Sequence, residues 1–171
     1  MASGQFLTVT DTKASEFSLA PDSPGVIVFP PALFVGTLLL ALGIHVLWPM
    51  HLAKGNWMRI VGAVLVVTSG ALSRWSSGTM RRAGTNVLPS KSTLSIVTDG
   101  PFRFSRNPLY VAASLLYLGL ALIFNSDWPL ALFVPMLTVL DWGVIQREEG
   151  YLEAKFGDVY LAYKARVRRW L

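Results

Sequence analysis

The chain has 171 residues, of which 53% are hydrophobic and 15% are charged, and this composition excludes an ordinary soluble domain. Its net charge of +5 would suit nucleic acid, but the hydrophobic residues are concentrated in blocks, so we expect a membrane and no nucleic acid as partner. The absence of cysteine excludes disulfides, thiolate metal sites and a cysteine nucleophile, and we expect no metal site of another kind.

The first half of the sequence predicts a polar tail followed by two membrane spans. Residues 1–24 have no basic segment before an apolar core, so they are not a signal peptide and form either a short interfacial segment or a loose tail. Residues 26–48 contain no charged residue and are long enough to cross the hydrocarbon layer. Residues 57–75 form the second predicted span, and residues 76–95 form a polar and basic loop.

The second half predicts an antiparallel helical hairpin and an amphipathic helix. The apolar runs 108–124 and 128–145 are separated by a connection so short that they must be antiparallel neighbours. From Arg147 to the C-terminus, apolar residues recur every three or four positions with basic residues between them, and the pattern is interrupted near Gly157. We expect this segment to lie on lipid or to pack beneath the bundle, with Arg169 facing lipid.

Together these segments predict an all-α integral membrane bundle of about four transmembrane helices plus a C-terminal amphipathic helix. We expect one membrane domain, in which 1–24 is the tail, 26–107 holds two spans and the loop, and 108–171 holds the hairpin and the C-terminal helix. Of the 15 lysines and arginines, five fall in 81–106 and six in 147–171. The positive-inside rule therefore places both basic segments and both termini in the cytoplasm.

Residues 98–110 combine two arginines with two prolines directly before an apolar run. Gly100-Pro101 predicts a turn, and Pro108 suits the first turn of the following helix, where its missing N–H is not needed. Arg103 and Arg106 then lie near a helix N-terminus, where free N–H groups and the helix dipole favour anions. The stretch is therefore either a docking point for an anionic group or a basic loop that orients the protein in the bilayer.

Acidic residues cluster near the end of the last predicted span. Asp141 lies inside the span, where a carboxylate is costly unless it faces a cavity or a partner, so it is either functional or paired with Arg74 or Arg106. The sequence Arg-Glu-Glu of residues 147–149 follows at the exit, and it is either part of a site or a solvated helix end. Asp141 and Arg147 are the candidate catalytic residues.

Two motifs occur in a fixed order in the second half of the chain. Residues 100–110 read Gly-Pro-Phe-Arg-Phe-Ser-Arg-Asn-Pro-Leu-Tyr, and residues 148–163 read Glu-Glu-Gly-Tyr-Leu-Glu-Ala-Lys-Phe-Gly-Asp-Val-Tyr-Leu-Ala-Tyr. The pair resembles the isoprenylcysteine carboxyl methyltransferase and phospholipid methyltransferase superfamily of integral membrane enzymes. Phe102 stands where this superfamily usually has tyrosine, and Asn107 stands where histidine is commonest in the methylesterifying branch. Asparagine can hydrogen-bond but cannot change charge near neutral pH.

The resemblance implies an enzyme that uses S-adenosyl-L-methionine and releases S-adenosyl-L-homocysteine, with the cofactor bound at the cytoplasmic face. The chemistry agrees, because an arginine at a helix N-terminus suits the cofactor's carboxylate, a glutamate suits its ribose, and aromatic faces suit adenine or sulfonium. The implied cofactor-binding residues are Leu94, Ile96, Val97, Gly100, Phe102, Arg106, Asn107, Pro108, Tyr110, Glu148 and Glu149.

The reaction implied by the resemblance is methyl transfer to a small lipophilic or amphiphilic acceptor. This acceptor is an isoprenyl or other thioether carboxylate, an amino lipid, or a small amine, thiol or phenol. A phospholipid or small-amine N-methyltransferase is the alternative among enzymes, and its protonatable acceptor would need a base such as Asp141 or Glu148. A membrane scaffold protein with a basic, lipid-binding C-terminus is the alternative outside enzymes, and it predicts no cofactor binding.

The predicted orientation can be tested with single cysteines, since the chain has none of its own. Cysteine substitutions at Lys91 and at the C-terminal Leu171 are expected to resist impermeant thiol reagents in intact cells and to react once the membrane is permeabilised. Labelling of either position from outside would contradict four spans with both termini in the cytoplasm.

Overall fold

A computed structural model of the chain describes residues 24–51, 56–85 and 95–171. Regular structure in these ranges is entirely helical, which confirms the predicted all-α fold. Residues 1–23 of the predicted tail and residues 86–94 of the predicted polar loop, which include Leu94, lie outside the described residues.

Three consecutive helical segments join into one continuous helix, Asp127–Phe156. In chain order the elements are α1 (Pro30–Leu47), α2 (Trp57–Arg82), a 3-10 turn (Gly100–Arg103), α3 (Pro108–Ile123), α4 (Asp127–Leu140), a π-helical turn (Asp141–Ile145), α5 (Gln146–Phe156) and α6 (Asp158–Arg166). The continuous helix consists of α4, the π-helical turn and α5.

Proline and glycine set several of these boundaries. Pro30 and Pro108 occupy the first positions of α1 and α3, where the missing N–H breaks no helical hydrogen bond. Gly157 has a φ of 52°, a left-handed conformation that glycine adopts without strain, and it separates α5 from α6. The break predicted near Gly157 is therefore confirmed.

Three helices are long and apolar enough to cross a membrane: α1, α2 and the continuous helix Asp127–Phe156. Helix α3 is apolar but has only 16 residues, so the count of four spans stays a prediction. The span boundaries also differ from the sequence prediction. Helix α2 continues to Arg82, beyond the predicted end at residue 75. Residues 24–29 are not helical, and Ile27 N–H instead donates to the Gly143 carbonyl at 3.1 Å.

The helices pack as two pairs, α1 on α4 and α2 on α3. Phe34 of α1 joins Met136 and Leu140 of α4 in the apolar core. Between α2 and α3, Gly62 and Gly119 face each other so closely that a Cβ on Gly62 would lie 2.6 Å from the Gly119 carbonyl oxygen. Small residues allow such close approach of helices in a membrane, where apolar burial alone does not favour association.

The predicted antiparallel hairpin is confirmed for α3 and α4. Asn125 turns the chain between them with a φ of 50°. The Tyr117 ring of α3 stacks on Phe133 of α4 with centroids 5.7 Å apart, while Tyr110, two turns earlier in α3, meets Glu148 beyond the end of α4. The two helices therefore run in opposite directions along their shared length.

The prediction for the C-terminal helix is wrong at both ends. It does not begin as a separate element at Arg147, because α5 continues α4 through the π-helical turn. It also stops at Arg166, and residues 167–171, here called the C-terminal segment, turn back onto the loop before α3. There the Arg168 carbonyl accepts a hydrogen bond from Arg106 N–H at 2.9 Å, and Trp170 packs against the core.

The contact between α2 and α3 can be tested by filling it. Gly62→Ala is expected to lower the stability of the detergent-solubilised protein by about 1–3 kcal/mol, because a methyl group there overlaps the α3 backbone. Gly70→Ala is the matched control on the same helix, since a Cβ there meets no heavy atom within 4 Å. Equal melting temperatures for the two variants would contradict the close helix contact.

Candidate functional site

A cavity of about 510 Å³ lies between α1, α3, α5, α6 and the loop before α3. It has two chemically different parts. The polar end is lined by Arg106, Asn107, Tyr110, Glu148, Glu149, Tyr160 and Tyr163. The apolar arm extends from it between α1 and α3 and is lined by Phe34, Val35, Leu38, Ala113, Leu116, Tyr117 and Leu120. A ligand that fills both parts must therefore carry polar groups at one end and apolar groups at the other.

The loop before α3 is fixed by a glycine that packs on α2. Gly100 has a φ of 58°, and a Cβ at this position would lie 2.9 Å from Thr79 Oγ1 and 3.1 Å from Trp75 Nε1. Glycine is the amino acid that can adopt this positive φ without strain and also leave room for so close an approach to α2. Gly100 does not line the cavity but sets the path of the residues that do.

Phe102 links this loop to α6. Its side chain is buried and lines the cavity, and its carbonyl accepts a hydrogen bond from the Tyr163 hydroxyl at 2.8 Å. Burial raises the pKa of Tyr163 to about 12, so its hydroxyl stays protonated and remains a donor at neutral pH. Tyr163 therefore holds α6 against the loop as one wall of the polar end.

A buried ion pair lies at the centre of the polar end. Arg106 Nη2 is 2.8 Å from Glu149 Oε1, and the two side chains are 9% and 7% exposed. Arg106 Nη1 also donates to the Lys164 carbonyl at 3.2 Å. Its third nitrogen, Nε, is buried and has no hydrogen-bond partner among the described residues. Arg106 thus presents an unused donor on a side chain that lines the cavity.

Arg169 makes the second ion pair of Glu149, which corrects the expectation that this arginine faces lipid. Its Nη2 lies 2.8 Å from Glu149 Oε2 and its Nε lies 3.1 Å from Glu149 Oε1. Its Nη1 lies 3.1 Å from Asp141 Oδ1. The hydrogen bond to Glu149 is the main reason that the pKa of Arg169 is raised above its ordinary value, so its charge is permanent.

Glu148, the first glutamate of the second motif, has a neutral partner. Glu148 Oε1 accepts a hydrogen bond from the Tyr110 hydroxyl at 2.8 Å, and both side chains line the cavity. Adjacent carboxylates in one helix turn therefore have different surroundings. Glu149 is neutralised by two arginines, whereas Glu148 faces the cavity beside a tyrosine.

The predicted cofactor-binding residues line this one cavity, apart from Gly100, which supports it, and Leu94, which lies outside the described residues. Neither predicted catalytic residue lines it. Asp141 pairs with Arg169 and accepts a hydrogen bond from Gln146, so the expected pairing with Arg74 or Arg106 is wrong. Arg147 is exposed and donates to the Gly25 carbonyl at 3.3 Å.

Several lining residues were not identified from the sequence. Tyr160 and Tyr163 belong to the second motif, and their spacing within it could have indicated them. Tyr117 and the α1 residues carry no such signal, because a long apolar helix does not reveal which of its faces borders a cavity. Arg169 lies outside both motifs, so its place next to Glu149 depends on the fold of the C-terminal segment.

Comparison with known proteins identifies a family. The sequence profile of the family described as phospholipid methyltransferase matches residues 57–159, which include the first motif and residues 148–159 of the second. An uncharacterized protein of Haemophilus influenzae (strain KW20 / Rd) is 38% identical over 63 residues, which are 37% of this chain and 100% of that protein. No solved structure matches this chain at a significant level.

The central ion pair predicts a large difference between two glutamates of α5. Glu149→Gln is expected to destabilise the protein by about 3–5 kcal/mol, because it leaves the buried Arg106 without its counter-charge. Glu153→Gln is the control, since Glu153 pairs with Lys164 and both side chains are about one-third exposed, so its loss should cost less than about 1 kcal/mol. Thermal unfolding in detergent measures both, and equal losses would contradict the central role of Glu149.

Proposed function

Because this chain belongs to the phospholipid methyltransferase family, we propose that it transfers a methyl group from S-adenosylmethionine to an amphiphilic lipid. The observation that carries the proposal is the joining of a charged end and an apolar arm in one cavity. We further propose that the polar end lies at the cytoplasmic face, as the distribution of basic residues indicates.

The polar end has the chemistry that S-adenosylmethionine requires. The unused Nε donor of Arg106 fits an anionic carboxylate, and such charge-assisted hydrogen bonds are among the stronger ones in proteins. Glu148 supplies an acceptor for ribose hydroxyls or for an ammonium group, and Phe102 supplies an aromatic face. When bound, the cofactor would supply a methyl group on a sulfonium, which needs no covalent intermediate on the protein.

The apolar arm supports a long-chain acceptor. Within the arm, the lining follows α3 from Ala113 to Leu120, a rise of roughly 10 Å at 1.5 Å per residue. Val35 and Leu116 line the arm and are also exposed at the side of the bundle, so a chain could enter from the bilayer. An isoprenyl or acyl chain fits this shape better than a small soluble amine does.

The residues of the chain contribute by binding, alignment and exclusion of water. Arg106 and Glu149 fix the polar end as a rigid charged pair, and the apolar arm keeps water from the acceptor. Methyl transfer is an in-line displacement in which charge is dispersed, so alignment and a dry site supply most of the acceleration.

One observation favours an amino lipid as the acceptor. A protonated amine must lose its proton before it can be methylated, and Glu148 is a carboxylate that lines the cavity and has no ion-pair partner among the described residues. In this proposal Glu148 takes the proton, with Tyr110 holding the carboxylate in place. Asp141 does not line the cavity and is not needed as the base.

Cofactor binding is tested by calorimetric titration of S-adenosylhomocysteine into the detergent-purified protein. Arg106→Ala is expected to weaken binding by about 1.5–3 kcal/mol, the usual contribution of a hydrogen bond to a charged group. Arg103→Ala is the matched control, because Arg103 lies in the same loop but is exposed and does not line the cavity.

The results of this titration distinguish a methyltransferase from a membrane scaffold protein. Binding that is lost in the Arg106 variant and kept in the Arg103 variant supports the methyltransferase. Equal effects would make Arg106 only one of several surface cations. No binding by the unaltered protein would favour a membrane scaffold.

A further inference from the structure

We propose that Arg169 is a positioning residue that acts through Glu149 to keep the Nε donor of Arg106 free for the carboxylate of the cofactor. This role rests on the proposed function, since it assumes that the polar end binds S-adenosylmethionine. It concerns a residue outside both sequence motifs. It also gives the C-terminal segment a part in ligand recognition.

The first step is the occupation of Glu149. Both of its carboxylate oxygens accept hydrogen bonds from Arg169, Oε2 from Nη2 at 2.8 Å and Oε1 from Nε at 3.1 Å. Arg106 shares only Oε1, through Nη2 at 2.8 Å. Arg106 therefore makes a one-point contact with a carboxylate that Arg169 holds at two points.

The second step follows from the geometry that arginine and carboxylate prefer. A free pair tends to form two parallel N–H···O bonds, and for Arg106 the second donor of such a fork could be Nε. Without Arg169, Oε2 would lose its close partner, since the nearest other cation, Lys164 Nζ, is 3.9 Å away. Glu149 could then turn toward Arg106 and take up the Nε that is now buried and unpartnered.

The third step is that the Arg169 side chain is itself held in place. Its Nη1 lies 3.1 Å from Asp141 Oδ1, so the guanidinium bridges Asp141, the first residue of the π-helical turn, and Glu149, which follows the turn in α5. This gives Asp141 a purpose without placing it in the cavity. Arginine suits this bridge because its planar group presents several donors in fixed directions, which the single ammonium of lysine cannot do.

The backbone of the C-terminal segment is anchored independently of this side chain. The Arg169 carbonyl accepts hydrogen bonds from Asn107 Nδ2 at 3.0 Å and from Ser105 Oγ at 3.3 Å. The Arg168 carbonyl accepts one from Arg106 N–H at 2.9 Å. An Arg169→Ala variant keeps all three bonds, so the segment is expected to stay docked while Glu149 is released.

The test compares two ligands that differ in the amino-acid part, which carries a carboxylate and an ammonium group. S-adenosylhomocysteine carries the amino-acid carboxylate, whereas 5′-methylthioadenosine has the same adenosine and thioether but lacks it. Arg169→Ala is expected to weaken S-adenosylhomocysteine binding roughly tenfold and to change 5′-methylthioadenosine binding less than about twofold. Arg169→Lys is expected to restore only part of the difference. Arg168→Ala is the neighbouring control, because the Arg168 side chain is exposed.

Each result has a distinct meaning. A selective loss of S-adenosylhomocysteine binding supports the positioning role. An equal loss for both ligands would show that Arg169 only stabilises the fold, and no loss for either would remove it from ligand recognition. If the unaltered protein binds neither ligand, the proposed function itself fails, and this role fails with it. If Arg169→Ala does not fold, Arg169→Gln replaces it, because the glutamine amide keeps one hydrogen-bonding nitrogen. The same comparison of S-adenosylhomocysteine with 5′-methylthioadenosine binding then applies.

Discussion

The polar end of the cavity depends on the ion pairs that the buried carboxylate of Glu149 makes with two arginines. A charge removed from water is costly unless it is paired and hydrogen-bonded, and Glu149 meets that requirement with two arginines from distant parts of the chain. Arg106 comes from the loop before α3, and Arg169 comes from the C-terminal segment. Satisfying one carboxylate therefore brings three segments together and forms the polar end of the cavity.

A second constraint comes from the way the helices pair. Gly62 and Gly119 let α2 and α3 approach until their backbones touch, while the larger side chains of the core hold α1 against α4. Between α1 and α3 the packing is loose, and the apolar arm occupies this gap. Tight packing of α1 on α4 and of α2 on α3 thus leaves a space between α1 and α3, next to the polar end.

The two parts of the cavity are complementary in chemistry. Arg106 and Glu149 form a buried ion pair at the polar end, and the arm beside it is lined almost wholly by apolar groups. In the proposed reaction, a cofactor from the cytoplasm and an acceptor from the bilayer would enter this cavity from different sides. Glu148 and Glu149 have different roles. Glu148 faces the cavity beside Tyr110, whereas Glu149 pairs with arginines that hold the polar end together.

The helical class, the hairpin of α3 and α4, and the two motifs that contribute residues to the cavity could be predicted from the amino-acid sequence. These features follow from local rules, because apolar run length, proline and glycine act on neighbouring residues. Three features depend instead on how the helices pack: Asp141 lies outside the cavity, α5 continues α4, and Arg169 faces Glu149. Ion pairs between residues far apart in sequence depend on how whole helices pack. The spacing of basic and apolar residues is also the same whether an amphipathic segment lies on lipid or beneath a bundle.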